Sequence, residues 1–263
     1  MPELPDVEVF KGYLDATALH QEITDVAVRS RQVLGNVSSQ KLTDHLEGRR
    51  FESTRRHGKY LFVHLDSGRW LVLHFGMTGF LKYFKAMDDE PAHARLLVNF
   101  ANGYHLVYDS QRKLGEVDVT EDIQKFIEKK KLGPDALDPD LDFDAFSKAF
   151  FKSRAMVKSA LMDQQLVAGI GNIYSDEILF QAGVHPRTKV ARLGEEEKRT
   201  LFDAMKEVLQ VAIEHRVNSE EFPSNYLLPH RRKGEECPRC HGEIDTIKIS
   251  GRTAYYCPRC QQQ

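Results

Sequence analysis

Cys237-Pro-Arg-Cys240-His-Gly-Glu-Ile-Asp-Thr-Ile-Lys-Ile-Ser-Gly-Arg-Thr-Ala-Tyr-Tyr-Cys257-Pro-Arg-Cys260 holds all four cysteines of the chain, in two identical knuckles sixteen residues apart. That spacing predicts a closed structural zinc site, in which four thiolates reach one tetrahedral ion at about 2.3 Å. Between the knuckles, Ile247-Lys-Ile249 and Ala254-Tyr-Tyr256 read as two strands, and Ser250-Gly251 supplies the turn that puts Arg252 at or beside the tip. A ribbon this small cannot bury a core of its own. The metal is therefore what makes it rigid enough to hold an arginine toward a phosphate.

Charge follows the same local logic. From His230 to Gln263 seven Lys/Arg face four acids, while the 263-residue chain as a whole carries a net charge of −2, which argues against indiscriminate coating of nucleic acid. With 41% hydrophobic residues the chain can bury a real core, and two domains plus the ribbon are expected. No cysteine lies outside the tail, no charged segment followed by an apolar one opens the chain, and no apolar run approaches the length of a membrane span. A soluble, cytoplasmic protein in a reducing compartment is expected, and the Asn36-Val-Ser38 sequon is expected to be idle.

Upstream, the first half reads as strands. The segments Tyr60 to Leu65, Trp70 to Phe75, Phe80 to Phe84, Leu96 to Phe100 and His105 to Tyr108 are short, β-branched or aromatic, and punctuated by turns, with Asn102-Gly103 as a hairpin signal. Such tight spacing predicts an antiparallel sandwich or barrel. A helix leads it, with Pro5 in the first turn, acids at 6 and 8, and Val7, Phe10 and Leu14 on one face. From about residue 118 charged helical segments take over. Asp144 to Lys152, Met156 to Met162, Asn172 to Ala182 and Leu193 to Arg216 read as helices, and Val167-Ala-Gly-Ile-Gly171 joins the second to the third through a turn whose exposed amides would suit a phosphate. The expected fold is thus an α+β multidomain chain, divided at 1–130, 131–222 and 223–263.

Three motifs together, Met1-Pro-Glu-Leu-Pro5, Gly169-Ile-Gly-Asn-Ile-Tyr174 and Gly251-Arg-Thr-Ala-Tyr-Tyr-Cys-Pro-Arg-Cys-Gln261, resemble the formamidopyrimidine-DNA glycosylase / endonuclease VIII family of base-excision repair enzymes. The resemblance runs the length of the chain, and Leu4 favours the formamidopyrimidine branch. It implies an N-terminal β-sandwich with a leading helix, a helix-two-turn-helix domain and a zinc-ribbon hairpin. It also implies a monomer that takes damaged double-stranded DNA, no membrane, one structural zinc, and a nucleoid location if the source is prokaryotic.

The family's chemistry agrees with the physical character of Pro2. Once Met1 is removed, a secondary amine with an ordinary pKa of about 7.7–8.0 is partly neutral at cytoplasmic pH and can attack C1′. The resulting iminium is an electron sink for strand-cleaving elimination. By resemblance Glu3 moves protons beside it, although an acid ahead of a helix is also what the dipole favours. Lys59, His74, Lys158, Asn172 and Arg252 match backbone-clamping positions, Lys59 and Arg252 within the catalytic set; Lys59 reads equally as a turn lysine and Asn172 as a helix cap. Met77 matches the residue inserted where the base leaves. Asp109-Ser-Gln-Arg-Lys-Leu-Gly115 aligns with the usual Asp-Pro-Arg-Arg-Phe-Gly, so Arg112 reads the partner base and Leu114 is the wedge. Met77 and Leu114 read also as anchors of their loops. Asp6 stands where glutamate is usual, and Val217 to His230 is short and lacks glycine, which disfavours strong 8-oxoguanine selectivity. A non-catalytic damage-binding protein on the same scaffold, an enzyme for oxidised pyrimidines, and a sequence-reading zinc-ribbon factor are the rival readings.

Overall fold

The computed structural model describes residues 1–262 and divides the chain into two compact units: Met1–Pro2 with Asp6–Lys130, and Glu3–Pro5 with the chain from Lys131 on.

In the first unit, helix α1 (Leu4–Thr17) is followed by β1 (Ile23–Val28), α2 (Ser39–Leu46), β2 (Phe51–His57), β3 (Tyr60–Leu65), β4 (Trp70–His74), β5 (Gly79–Phe84), β6 (Ala94–Phe100), β7 (His105–Ser110), β8 (Glu116–Thr120) and α3 (Ile123–Lys130). The strands form two antiparallel four-stranded sheets, β1-β6-β7-β5 and β2-β3-β4-β8. Alternation sorts their side chains: Leu61, Val63, Leu71 and Leu73 join Val26, Leu96, Val98, Leu106 and Tyr108 in the shared core, with Val7 and Leu14 of α1. Phe62 and Val72 point the other way and are covered by Phe126 of α3. Both faces of β3 are therefore buried, which is why it reads as a near-continuous apolar run.

Three elements gave no clear signal in the sequence. β2 carries one fully buried apolar residue, Phe51, in the otherwise polar Phe-Glu-Ser-Thr-Arg-Arg-His, and pairs with β3 along its length apart from a register shift between Phe51 and Ser53. β8 is the short alternating Glu-Val-Asp-Val-Thr, held by β4 at a place where the texture already looked helical. α2 is an eight-residue helix capped by the Ser38 side chain, which accepts from Lys41 N at 3.3 Å.

The second unit contains α4 (Phe143–Phe150), α5 (Val157–Leu161), α6 (Asn172–Gln181), α7 (Glu195–Glu214) and the hairpin β9 (Asp245–Ile249) and β10 (Arg252–Tyr256). Its core gathers Leu4, Phe146, Phe150, Leu161, Ile170, Ile178, Leu179, Met205 and Leu209. Every residue of α6 from Tyr174 to Phe180 is buried, including Ser175, Asp176 and Glu177. A helix buried all round, with two carboxylates in its middle, must satisfy those charges internally. No helix of the described residues is long and apolar enough to cross a membrane.

Candidate nucleic-acid and catalytic site

Glu3 is fully buried, and its carboxylate closes the N-terminus of α6. Oε2 accepts from Gly171 N at 2.7 Å and Tyr174 N at 3.2 Å, and Oε1 accepts from Ile173 N at 2.8 Å. Next door, Leu4 N donates to Gly169 O at 3.0 Å. These are the amides that the two-glycine turn was expected to offer a phosphate. They are occupied, because a helix N-terminus attracts the nearest anion and an internal carboxylate supplies it. Both glycines are required by this approach: a Cβ on Gly171 would lie 2.4 Å from Glu3 Cδ, and one on Gly169, whose φ is +118°, would lie 2.5 Å from Leu4 Cδ1. Pro2 is partly exposed and Met1 exposed, and the chain is fixed one residue beyond Pro2.

One turn further along α6, Asp176 is buried between two cations. Lys158 Nζ donates to its Oδ1 at 2.6 Å, and Arg231 donates to Oδ2 through Nε at 2.9 Å, with Nη2 at 2.8 Å. Lys158 also donates to Ser175 Oγ at 2.7 Å and Asn172 O at 3.1 Å. Burial pushes the Lys158 ammonium down from its ordinary value, the Asp176 carboxylate opposes this, and burial likewise pushes Asp176 up. Lys158, expected by resemblance at a backbone-clamping position, thus stands wholly buried with its three protons engaged. Asn172 opens α6 as its first residue, with Gly171 in the cap position, and its side-chain Oδ1 is buried without a protein partner.

Glu177, the next residue, accepts from Leu227 N at 3.1 Å and Leu228 N at 2.7 Å, which ties the 217–230 segment to α6. Burial pushes its carboxyl up to about 7, against the pull of the Gln181 and backbone hydrogen bonds. Asp176, Glu177 and Arg231 were not singled out in the sequence. The available signal was an Asp-Glu pair set directly before Ile-Leu-Phe, where an amphipathic helix would place apolar residues.

Within the first unit, Lys59 sits in the β2–β3 turn behind Gly58, whose φ is +55°. His74 ends β4. Burial, with the Lys59 and Lys130 charges, pushes its pKa down to about 4, and Nδ1 accepts from Gly76 N at 3.3 Å. At neutral pH the ring is then uncharged with its proton on Nε2, so it can donate to a phosphate without adding charge. Met77, 39% exposed, and Leu114, 54% exposed, lie on adjoining loops, because Gly76 packs against the Leu114 backbone so closely that a Cβ there would lie 2.4 Å from its carbonyl carbon. Arg112 is exposed and its N donates to Thr78 Oγ1 at 3.1 Å. The structure brings Met77, Arg112 and Leu114 together on one unit, and Glu3, Lys158 and Asn172 together on the other.

The ribbon turns as its residues predict: Ser250 and Gly251 have φ of +48° and +76°, and Arg252 opposes Ile249 at the first pair of the hairpin. The tip rests on α5, with Ser250 Oγ 2.9 Å from Ser159 Oγ and Arg252 Nη1 donating to Met162 Sδ at 3.3 Å. At its base, Cys237, Cys240, Cys257 and Cys260 present sulfurs all within 4.8 Å of one another, with Cys237–Cys260 at 3.8 Å and Cys240–Cys257 at 3.4 Å. Tetrahedral coordination at about 2.3 Å requires sulfur separations of about 3.8 Å, so the set fits one zinc ion that crosslinks the fold.

Comparison with known proteins agrees over the whole length. Residues 1–117 match the formamidopyrimidine-DNA glycosylase N-terminal domain, residues 132–223 its H2TH domain, and residues 234–263 the zinc finger found in FPG and IleRS. The chain is 34% identical to a formamidopyrimidine-DNA glycosylase of Desulforamulus reducens over 275 residues, covering 100% of this chain and 99% of that one, and 36% identical over 278 residues to one of Lactococcus lactis subsp. cremoris, covering both chains fully. Among solved structures, Lactococcus lactis Fpg with DNA containing an abasic site superposes with a TM-score of 0.90 at 31% identity, covering 99% of this chain and 100% of that one. The wild-type Lactococcus lactis enzyme with DNA containing N7-benzyl-Fapy-dG does so at 0.90 and 30% identity, covering both chains fully. A sandwich unit, a helical unit whose first turn of α6 is closed by Glu3, and a four-cysteine ribbon therefore place this chain in the formamidopyrimidine-DNA glycosylase family.

Proposed function

We propose that this chain is a bifunctional DNA glycosylase and abasic-site lyase that excises oxidised purines from duplex DNA as a monomer in the cytoplasm, on the nucleoid. The reading is carried by one observation. Glu3 is locked to three amides of the α6 N-terminus, which fixes the peptide that follows the Pro2 nucleophile.

Removal of Met1 frees the Pro2 secondary amine. Its lone pair forms a bond to C1′ as the bond from C1′ to the damaged base breaks, and the base departs with a proton delivered by a carboxyl or water at the site. The amine loses its proton and O4′ gains one as the C1′–O4′ bond breaks, giving an iminium; loss of a C2′ proton then expels the 3′ phosphate, loss of a C4′ proton expels the 5′ phosphate, and water hydrolyses the iminium to release the sugar remnant and restore the Pro2 amine. In this reading Glu3 serves proton movement beside Pro2, and Lys59, His74, Asn172 and Arg252 hold phosphates. Met77 and Leu114 fill the space of the departed base, and Arg112 meets its partner. The zinc supplies rigidity to the ribbon, and no step passes through it. The 217–230 segment is glycine-free and pinned at Leu227 and Leu228, which supports ring-opened and further-oxidised purines ahead of 8-oxoguanine.

Borohydride reduction during incubation with a formamidopyrimidine or abasic-site duplex is expected to trap a covalent protein–DNA adduct that disappears in Pro2→Gly. A protein that gives no adduct with either substrate, or a Pro2→Gly variant that gives as much as its parent, would overturn the proposal.

A further inference from the structure

Lys158 and Arg231 share one carboxylate, and only one of them has donors to spare. An ammonium carries three protons, and Lys158 gives all of them to Asn172 O, Ser175 Oγ and Asp176 Oδ1 with its side chain fully buried. Arg231 gives Nε and Nη2 to Asp176, and Nη2 lies 3.4 Å from Asn172 O. Its Nη1 makes no hydrogen bond among the described residues, and the side chain keeps 19% of its exposure. The guanidinium carbon stands 4.5 Å from the ring centroid of Tyr255 on β10, the strand that also carries Arg252. One edge and one face of the group are thus held by protein while the other edge is open.

We propose that Arg231 is a preorganised phosphate-binding residue, taking a backbone phosphate of DNA beside Asn172 and thereby making the contact that sequence alone assigned to Lys158. The proposal rests on the DNA-binding reading above. Its physical basis is that a guanidinium already fixed by a carboxylate and an aromatic ring loses little freedom when it accepts a phosphate, and its planar donors suit that geometry.

The test is the salt dependence of binding. The zinc-loaded full-length protein is titrated with a duplex carrying a stable abasic-site analogue between 50 and 200 mM KCl. Neutralising one phosphate contact flattens the slope of log K against log salt by about 0.9, so the affinity deficit of Arg231→Met is expected to shrink about 3.5-fold across that range. Arg231→Lys is expected to restore most of the slope, and Lys158→Met to leave it unchanged while lowering the melting temperature. Should Arg231→Met fail to fold, Arg231→Gln, which keeps a donor for Asp176, carries the same slope measurement. A neutral variant that retains the wild-type slope overturns the assignment even if it binds weakly or melts early, since that is the signature of a purely structural arginine. Wild-type protein that does not bind the duplex would instead sink the proposed function.

Discussion

Glu3→Gln isolates what the buried carboxylate does for the fold. A glutamine can keep an oxygen where Oε2 accepts from Gly171 and Tyr174, but its NH2 must then face the Ile173 N–H that Oε1 now accepts at 2.8 Å. One charge-assisted hydrogen bond becomes a donor–donor contact, a loss of about 1.5–3 kcal/mol, and the interaction of a full charge with the helix N-terminus, about 0.3–2 kcal/mol, goes as well. The expected total of about 2–5 kcal/mol corresponds to a fall of roughly 5–20 °C in the melting of the helical unit. Calorimetry and urea titration are the assays, since activity would also report the proposed proton-handling role. Gly171→Ala provides the cross-check, because its Cβ would lie 2.4 Å from Glu3 Cδ. In a Glu3→Ala background that space is open, so the two substitutions together are expected to cost less than their sum by at least about 1 kcal/mol. An unchanged melting temperature in Glu3→Gln, or strict additivity in the cycle, would refute the cradle as the anchor of this unit.

Chelation is expected to unfold the ribbon and abolish duplex binding while the sandwich unit keeps its own transition, because structural zinc contributes on the order of 10–16 kcal/mol to such modules; metal analysis should give one zinc per chain, and proteolysis of the apo form should cut near the knuckles. For Glu177, burial raises the carboxyl to about 7, so the native state holds a proton that the unfolded chain releases near pH 4.5. Its contribution is then fully present below about pH 4.5 and declines as pH rises to about 7, by about 3 kcal/mol at most. Glu177→Gln is expected to flatten the urea midpoint over that window, and parallel curves for variant and parent would contradict it.

Local features were legible without a structure because short-range physics sets them. The cysteine spacing gave the metal site, Ser250-Gly251 gave a turn with two left-handed residues, and the short β-branched and aromatic run Tyr60–Leu65, bounded by turns, gave β3 to the residue. β2 and β8 escaped because a strand with one apolar anchor or five residues owes its existence to the neighbour that pairs with it. The site divides in the same way. Glu3 could be named from the motif around Pro2, but its partners lie 168 to 171 residues away. The sequence offered two local readings of its charge, and neither was the helix it closes. Lys158 shows the limit most clearly: nothing in Val-Lys-Ser-Ala tells whether the lysine faces solvent or an aspartate. Composition and spacing determined that this chain has an antiparallel sandwich or barrel, a helical unit and a metal-held ribbon, and the resemblance of its motifs chose the sandwich. Tertiary packing decided which charges meet inside α6 and which guanidinium edge stays open, because desolvation and pairing depend on neighbours that only the folded chain supplies.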